Sequence, residues 1–348
     1  MDNVLLTAEA ILAIPVSEPG RLFSGDPEAL KREWHALAAR WHPDAHPGDH
    51  KATEVLQHIN ALRASALRRL AAGVWEESGL LRLKASDGRS FELRFRRKGT
   101  FELGEFYIGA SILAYALPLT ERDLFEAAVH AISRLRYPDA EMQAEIAPSL
   151  PEIEAIVETA DRLVLVLRRR SDLLLLADLL GYVGGRLDPR HVAWIVGALE
   201  NLACYLDWGG LMHGAIGPAS VFVSPKAHSV ALLGGWWYAV SLGSALRALP
   251  ERTLRIVPPA VAAGRAAANA IDLELIRLTA REALGDPGGS RLLRDPTVPA
   301  AFSRWLMDPP RAGAFDDYRS WEEARAASFG ARRFIELPID PDAIYRPI

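Results

Sequence analysis

Several residues of this 348-residue chain are of types that could do chemistry. The first are His42-Pro43-Asp44. A proline fixes its own φ and pushes the residue before it out of helical geometry. The tripeptide therefore projects an imidazole and a carboxylate from a rigid corner. His42, His46 and His50 recur every four residues, which on a helix would make one metal-ligand face. Pro43 and Pro47 deny that helix and no cysteine lies near, so no metal is expected. Cys204 is the single cysteine, in the apolar stretch Asn201-Leu-Ala-Cys-Tyr-Leu. It reads as a small buried hydrophobe rather than a nucleophile, and it rules out an intrachain disulfide. A reducing, cytoplasmic compartment fits. There is no Ser/His/Asp nucleophile elbow, no Walker loop and no dinucleotide-binding glycine pattern.

The elements that must position these residues follow from periodicity. Asp26 reads as an N-cap, with Pro27 at the first helical position. Leu30, Trp34, Leu37 and Trp41 then recur at three- and four-residue spacing, which predicts a helix from Asp26 to Trp41. A second helix is expected over His50 to Ala71, with Val55, Leu56, Ile59, Leu62, Ala66 and Leu70 as its stripe. The short, proline-containing connection pairs the two helices antiparallel. Gly73 to Gly79 reads as a linker. Beyond it the pattern alternates, with Leu81 and Leu83 before Asp87-Gly88 and Phe91, Leu93 and Phe95 after, which is a hairpin signal. More strand-like sequence runs from Phe101 to Leu117, followed by a helix over Glu121 to Leu135 and strands at Ile153–Val157 and Leu163–Leu167. From Leu173 the chain reads mostly helical. Arg168-Arg169-Arg170 reads as a solvated turn. The proline-rich tail, Leu337 to Ile348, either wraps a domain surface or is mobile.

Hydrophobic residues make up 50% and charged residues 24% of the chain, a soluble globular composition. The formal net charge of −4 gives no global field for nucleic acid, and no run reaches the length of a membrane helix. The length suits two or three domains.

The string from Leu30 to Asp49, Leu-Lys-Arg-Glu-Trp-His-Ala-Leu-Ala-Ala-Arg-Trp-His-Pro-Asp-Ala-His-Pro-Gly-Asp, resembles the second helix and loop of J-domains. The downstream Leu56…Ile59-Asn60 is similar to the core face of their third helix, and the resemblance covers residues 21–70. It implies that His42, Pro43 and Asp44 contact a DnaK-type ATPase chaperone and stimulate its ATP hydrolysis. Lys31, Arg32 and Arg40 would supply positive charge that steers an acidic partner. The first helix of the family is not recognisable in its usual place, and Leu5 to Leu12 is the candidate to replace it.

Residues 89–330 resemble a protein-kinase frame stripped of its chemistry. Leu211-Met-His213-Gly-Ala-Ile-Gly-Pro218-Ala-Ser-Val-Phe-Val is similar to a kinase catalytic loop and the strand after it. Val230-Ala-Leu-Leu-Gly-Gly-Trp-Trp stands where the metal-binding Asp-Phe-Gly would be, and Pro258-Pro259 where a substrate-loop anchor would lie. Asp272 resembles the buried aspartate that opens a central kinase helix. The resemblance implies Ala215 at the base position, Ser220 and Gly234 at the two metal-ligand positions, and Ala116 at the phosphate-holding lysine. His213 is then a buried core residue. Phosphoryl transfer is positioning plus charge neutralisation, so these replacements imply no catalysis and no cofactor. Trp236 and Trp237 either fill the vacated nucleotide cleft or form a partner groove.

The expected architecture is an α+β multidomain chain. It has a J-domain hairpin over 1–72, a linker and the start of a β-hairpin over 73–88, a β-rich lobe over 89–170, an α-rich lobe over 171–330 and a tail over 331–348. The implied role is a co-chaperone that recruits a DnaK-type chaperone while a pseudokinase module holds an unknown client, with no nucleic-acid or membrane partner. The alternatives are an atypical nucleotide-binding kinase, and a scaffold whose J-like hairpin only docks partners.

Overall fold

The computed structural model describes residues 6–77, 79–257 and 266–345. Pro258-Pro259 and the last three residues lie outside that set.

The chain opens with a helical hairpin. Ala8–Leu12 (α1) is one short turn that packs on the third helix; it falls within the stretch Leu5 to Leu12 read from the sequence, of which Leu5 lies outside the described residues. Pro27–Arg40 (α2) starts at Asp26, whose Oδ1 accepts the Ala29 N–H at 2.8 Å. His50–Ala71 (α3) is capped in the same way by Asp49, which accepts the Lys51 N–H at 2.9 Å. Both helices begin where a capping carboxylate and the apolar stripe coincide. Leu30, Leu37, Val55, Ile59 and Leu62 are buried between them, with Ile11, Leu22 and Phe23 sealing one side. Each such side chain contributes roughly 2 kcal/mol by leaving water.

The segment expected to be a linker is a strand. Val74–Glu77 (β1) pairs antiparallel with Leu80–Lys84 (β2), which pairs with Ser90–Arg94 (β3) across the Asp87-Gly88 turn. Gly88 has φ of 88°, a conformation that favours glycine there. The strand at 90–94 therefore belongs to this small sheet, and the next unit begins near Arg97 rather than at 89.

That unit is a five-stranded antiparallel sheet. Its strands are Arg97–Phe101 (β4), Gly104–Ile108 (β5), Ile112–Pro118 (β6), Ile153–Glu158 (β7) and Arg162–Arg168 (β8), in the order β4-β5-β6-β8-β7. One face packs on Arg122–Ser133 (α4) through Phe125, Ala128 and Ile132. The other face packs on the small sheet, with Ala114, Ala116, Val164 and Val166 against Val74, Leu81 and Leu83. Between β6 and β7 also lies Ala140–Ile146 (α5).

The helix-rich part follows, with Leu176–Tyr182 (α6), Pro189–Trp208 (α7), Glu251–Leu254 (α8), Asn269–Ala283 (α9), Ala300–Met307 (α10), Ala314–Phe329 (α11) and Pro341–Ile344 (α12). Helices α7, α9, α10 and α11 pack on one another. A strand pair, Val221–Ser224 (β11) and Ser229–Leu232 (β12), joins Leu174–Leu175 (β9), and Leu211–Met212 (β10) pairs with Val240–Ser241 (β13). Among the described residues no helix is long and apolar enough to cross a membrane.

Arg169 departs from the solvated turn expected of Arg168-Arg169-Arg170. It is 3% exposed, and its Nη2 donates to the Gly109 carbonyl at 2.6 Å. Burial lowers its pKa to about 10. Its neighbours stay at the surface, paired with Glu154 and Asp172.

Candidate functional site

The first candidate site is the corner between α2 and α3. Pro43–Ala45 makes one 3-10 turn, and His42 precedes it in extended backbone, with φ −66° and ψ 134°. The His42 Nδ1 accepts the Asp44 N–H at 3.2 Å and lies 3.5 Å from the Asp44 Oδ2. The side chains of His42 and Asp44 are 54% and 91% exposed. The frame beneath them is held firmly. Trp41 stacks on His46, whose Nε2 is 2.8 Å from the Arg40 carbonyl. Farther along, the Trp34 indole donates to Asn60 at 2.9 Å, with the Arg63 guanidinium 4.1 Å over its ring.

His42, His46 and His50 do not share a helical face. The first precedes the short turn, the second ends it and the third starts α3. Among the described residues no group of three His, Cys, Asp or Glu could hold a metal ion. Lys31 and Arg32 are exposed on α2 and Arg40 is half-buried. At about 100° per residue Arg32 points away from the core while Lys31 and Arg40 lie on opposite sides of it, so the positive charge is spread over the solvent face.

The second candidate site is the cleft where the five-stranded sheet meets the helix-rich part. The loop over 211–220 is fixed from below. Asp272, in the first turn of α9, accepts the N–H of His213 at 2.6 Å and of Gly214 at 2.7 Å. Burial pushes its carboxyl up to about 6 in spite of those bonds. His213 is fully buried, its Nε2 lies 3.0 Å from the Gly234 carbonyl, and its ring meets Trp236 edge-on. Burial lowers its pKa to about 3, so it is a neutral structural residue. The Ser220 hydroxyl donates to the Ala215 carbonyl at 2.6 Å and accepts the Gly217 N–H at 3.0 Å. It ties the loop to itself.

The cleft is filled by aromatic rings. Trp237 stacks on Phe101 at 4.8 Å and meets Tyr115 edge-on at 4.9 Å. Trp236 and Trp237 are 1% and 4% exposed, so both pack as core, with Trp237 also on the wall of the open cavity beside the cleft. A Cβ added at Gly234 would lie 2.6 Å from the Tyr115 hydroxyl and 3.0 Å from the Ser220 Cα, so a carboxylate side chain has no room there. Ala116 does not face the cleft. It lies on the opposite face of β6, against the small sheet, and the residue of this strand that reaches the cleft is Tyr115. An open cavity of about 1130 Å³ lies to one side, between α4 and residues 237–248, lined by Asp123, His130, Arg134 and Arg247 among others.

Cys204 is free and half-buried, and burial, then Glu200, raise its thiol to about 11, out of the reactive range. Sequence reasoning missed Glu200, which is fully buried beside the carboxylate of Asp317. Burial first, then Asp317, pushes its pKa well above the usual carboxylate value. A glutamate inside the apolar run Val-Gly-Ala-Leu-Glu-Asn-Leu-Ala was the available signal.

No family model matches the chain, and no curated protein matches it. Solved structures do match. One, described as "Crystal structure of BubR1 kinase domain", covers 73% of this chain and 83% of that one, at 12% identity and a TM-score of 0.48. Along the chain the sheet-rich part precedes the helix-rich part, and the loop carrying His213 lies within the latter, between α7 and α9.

Proposed function

We propose that this chain is a co-chaperone whose hairpin recruits a DnaK-type ATPase chaperone and stimulates its ATP hydrolysis, while the kinase-like body binds a client without catalysing phosphoryl transfer. The observation that carries the first half is the corner at 42–44. An imidazole and a carboxylate stand in solvent at the end of an antiparallel helix pair, on a turn fixed by proline and by a stacked Trp41–His46 base. Exposed polar groups on a rigid corner are what a partner can engage at little ordering cost.

The second half is supported by sterics. Mg²⁺ needs oxygen ligands in near-octahedral geometry. Gly234 has no space for a carboxylate, the Ser220 hydroxyl is committed to its own loop, and Ala215 offers no base. Phe101, Tyr115 and Trp237 packed together also take up space in the cleft that a nucleotide base would need.

The test is a steady-state ATPase assay in which the chain is titrated into a DnaK-type chaperone beside His42→Gln. The expected result is stimulation by the wild type and a loss of about tenfold or more in the variant, equivalent to ~1.4 kcal/mol of partner interaction. Equal stimulation by both, or none by either, overturns the reading.

A further inference from the structure

The segment after α11 returns across the molecule and ends against both halves of the kinase-like body. From 331 to 345 only Leu337 and Tyr345 are buried, at 8% and 2% exposure. The Tyr345 hydroxyl accepts the Leu175 N–H at 2.9 Å and donates to the Asp178 Oδ2 at 3.0 Å. Leu175 and Asp178 belong to the start of the helix-rich part. The Arg169 guanidinium sits 5.7 Å from the Tyr345 ring, a cation–π distance. Three residues earlier, Asp342 takes an ion pair at 2.6 Å from Arg96, which immediately precedes the five-stranded sheet. Arg97 in turn reaches Asp178 at 3.3 Å.

Upstream, Arg332 pairs with Glu322 and Phe334 stacks on His228. From Leu337 on, the chain is held as a bound peptide would be, by a few points: one aromatic ring with its hydroxyl doubly hydrogen-bonded, one acidic residue three places ahead, and one leucine set into the core. The receiving groove has the complementary chemistry: Arg96 and Arg169 for the acid and the ring, a backbone N–H and a carboxylate for the hydroxyl. The Arg96–Asp342 pair is partly solvated, with side chains 32% and 62% exposed, so it holds register more than it adds stability. Such a contact exchanges readily.

We propose that this groove is a peptide-docking site, occupied in cis by Asp342–Tyr345, which accepts in trans a partner segment carrying an acidic residue three positions before a tyrosine. The cis segment acts as a competitor at high effective concentration. A partner must displace it or meet a chain in which it has been released. The hairpin plays no part, so failure here would leave the ATPase reading standing, and loss of ATPase stimulation would leave this one standing.

The experiment is fluorescence anisotropy with a labelled peptide of residues 336–348 and the full chain. Tyr345→Ala opens the groove. Tyr345→Phe keeps the ring and removes both hydroxyl bonds, and serves should the alanine variant lose its fold. The expected result is binding to either opened chain about tenfold or more tighter than to the wild type. Adding Arg96→Glu to the opened chain should remove that binding. A peptide that keeps only the acidic residue and the tyrosine in an otherwise alanine and serine background should compete. The proposal is overturned if a folded opened chain binds no better than wild type, if Arg96→Glu leaves binding unchanged, or if a peptide without the tyrosine binds equally well.

Discussion

The corner at His42–Asp44 and the cleft around Tyr115 are built on opposite principles. In the corner the chemical groups are in water and the support is apolar, with Trp41 and His46 stacked beneath. In the cleft, hydrocarbon stands where charged groups would have to be. Phe101, Tyr115 and Trp237 meet ring on ring, and the polar atoms of the loop are taken up by Ser220 within it and by Asp272, Thr253 and Arg252 around it. A buried site kept for ionic chemistry would need unfilled space and groups of opposite charge to offset desolvation. The cleft has neither. The difference separates a region whose polar groups stand open to solvent from one whose groups are enclosed.

The strongest way to break this comparison is to return a carboxylate to the cleft. Gly234→Asp forces a Cβ against the Tyr115 hydroxyl and the Ser220 Cα, and buries a charge without a partner. Overpacking and an unpaired buried carboxylate together should cost about 3 kcal/mol or more. Chemical denaturation would measure it. Tyr115→Ala in the same chain should recover part of that loss, although alone it destabilises. If Gly234→Asp melts like the wild type, the cleft is roomier than its packing implies.

A second test uses pH, because two buried groups of the loop titrate in opposition. The folded pKa of His213 is depressed from 6.5 to about 3. Between those values the unfolded chain holds a proton that the native chain does not, so this group raises stability as pH rises from about 3 to 6.5. The folded pKa of Asp272 is raised from 3.8 to about 6. There the native chain holds the extra proton, so its contribution is greatest below 3.8 and is lost as pH rises through 6. The two slopes oppose each other between about 4 and 6. His213→Phe should remove the rising slope and expose the falling one, so the variant minus wild-type stability declines with pH over that window. A difference independent of pH would mean that the imidazole is protonated in place.

How much of this was legible differs by region. The hairpin was, because Asp26-Pro27, Asp49 and three-to-four spacing are local signals that tertiary contacts did not override. Strand β1 was not. Val74 buries toward the sheet sandwich and Trp75, its neighbour, toward the hairpin core, so Val-Trp-Glu-Glu shows no alternation. Ala116 was assigned to the cleft for a related reason. Residues 113–117 are buried on both faces of β6, and a strand covered on both sides carries no periodic mark of which side is which. The buried Arg169 depends on carbonyls some sixty residues away, at Gly109 and Ala110, which nothing near it announces. Asp272 was found because the loop it supports and the helix it opens had both been recognised first.

A smaller effect is expected from nucleotide. Millimolar Mg·ATP should leave the melting temperature within about 1 °C, because a ligand that does not bind the native state cannot shift unfolding. A larger upward shift would reopen the atypical-kinase alternative. The smallest effect belongs to the corner. His42→Gln and Asp44→Asn remove a side chain–backbone bond of 3.2 Å and an exposed polar pair. Exposed interactions of this kind are each worth well under 1 kcal/mol, so stability should change by about 0.5 kcal/mol or less. That near-silence is what gives the ATPase assay its meaning. Activity lost from a chain of unchanged stability places the function in the side chains themselves. If either substitution instead costs several kcal/mol, the turn is a structural staple, and the contrast between an open corner and a closed cleft disappears.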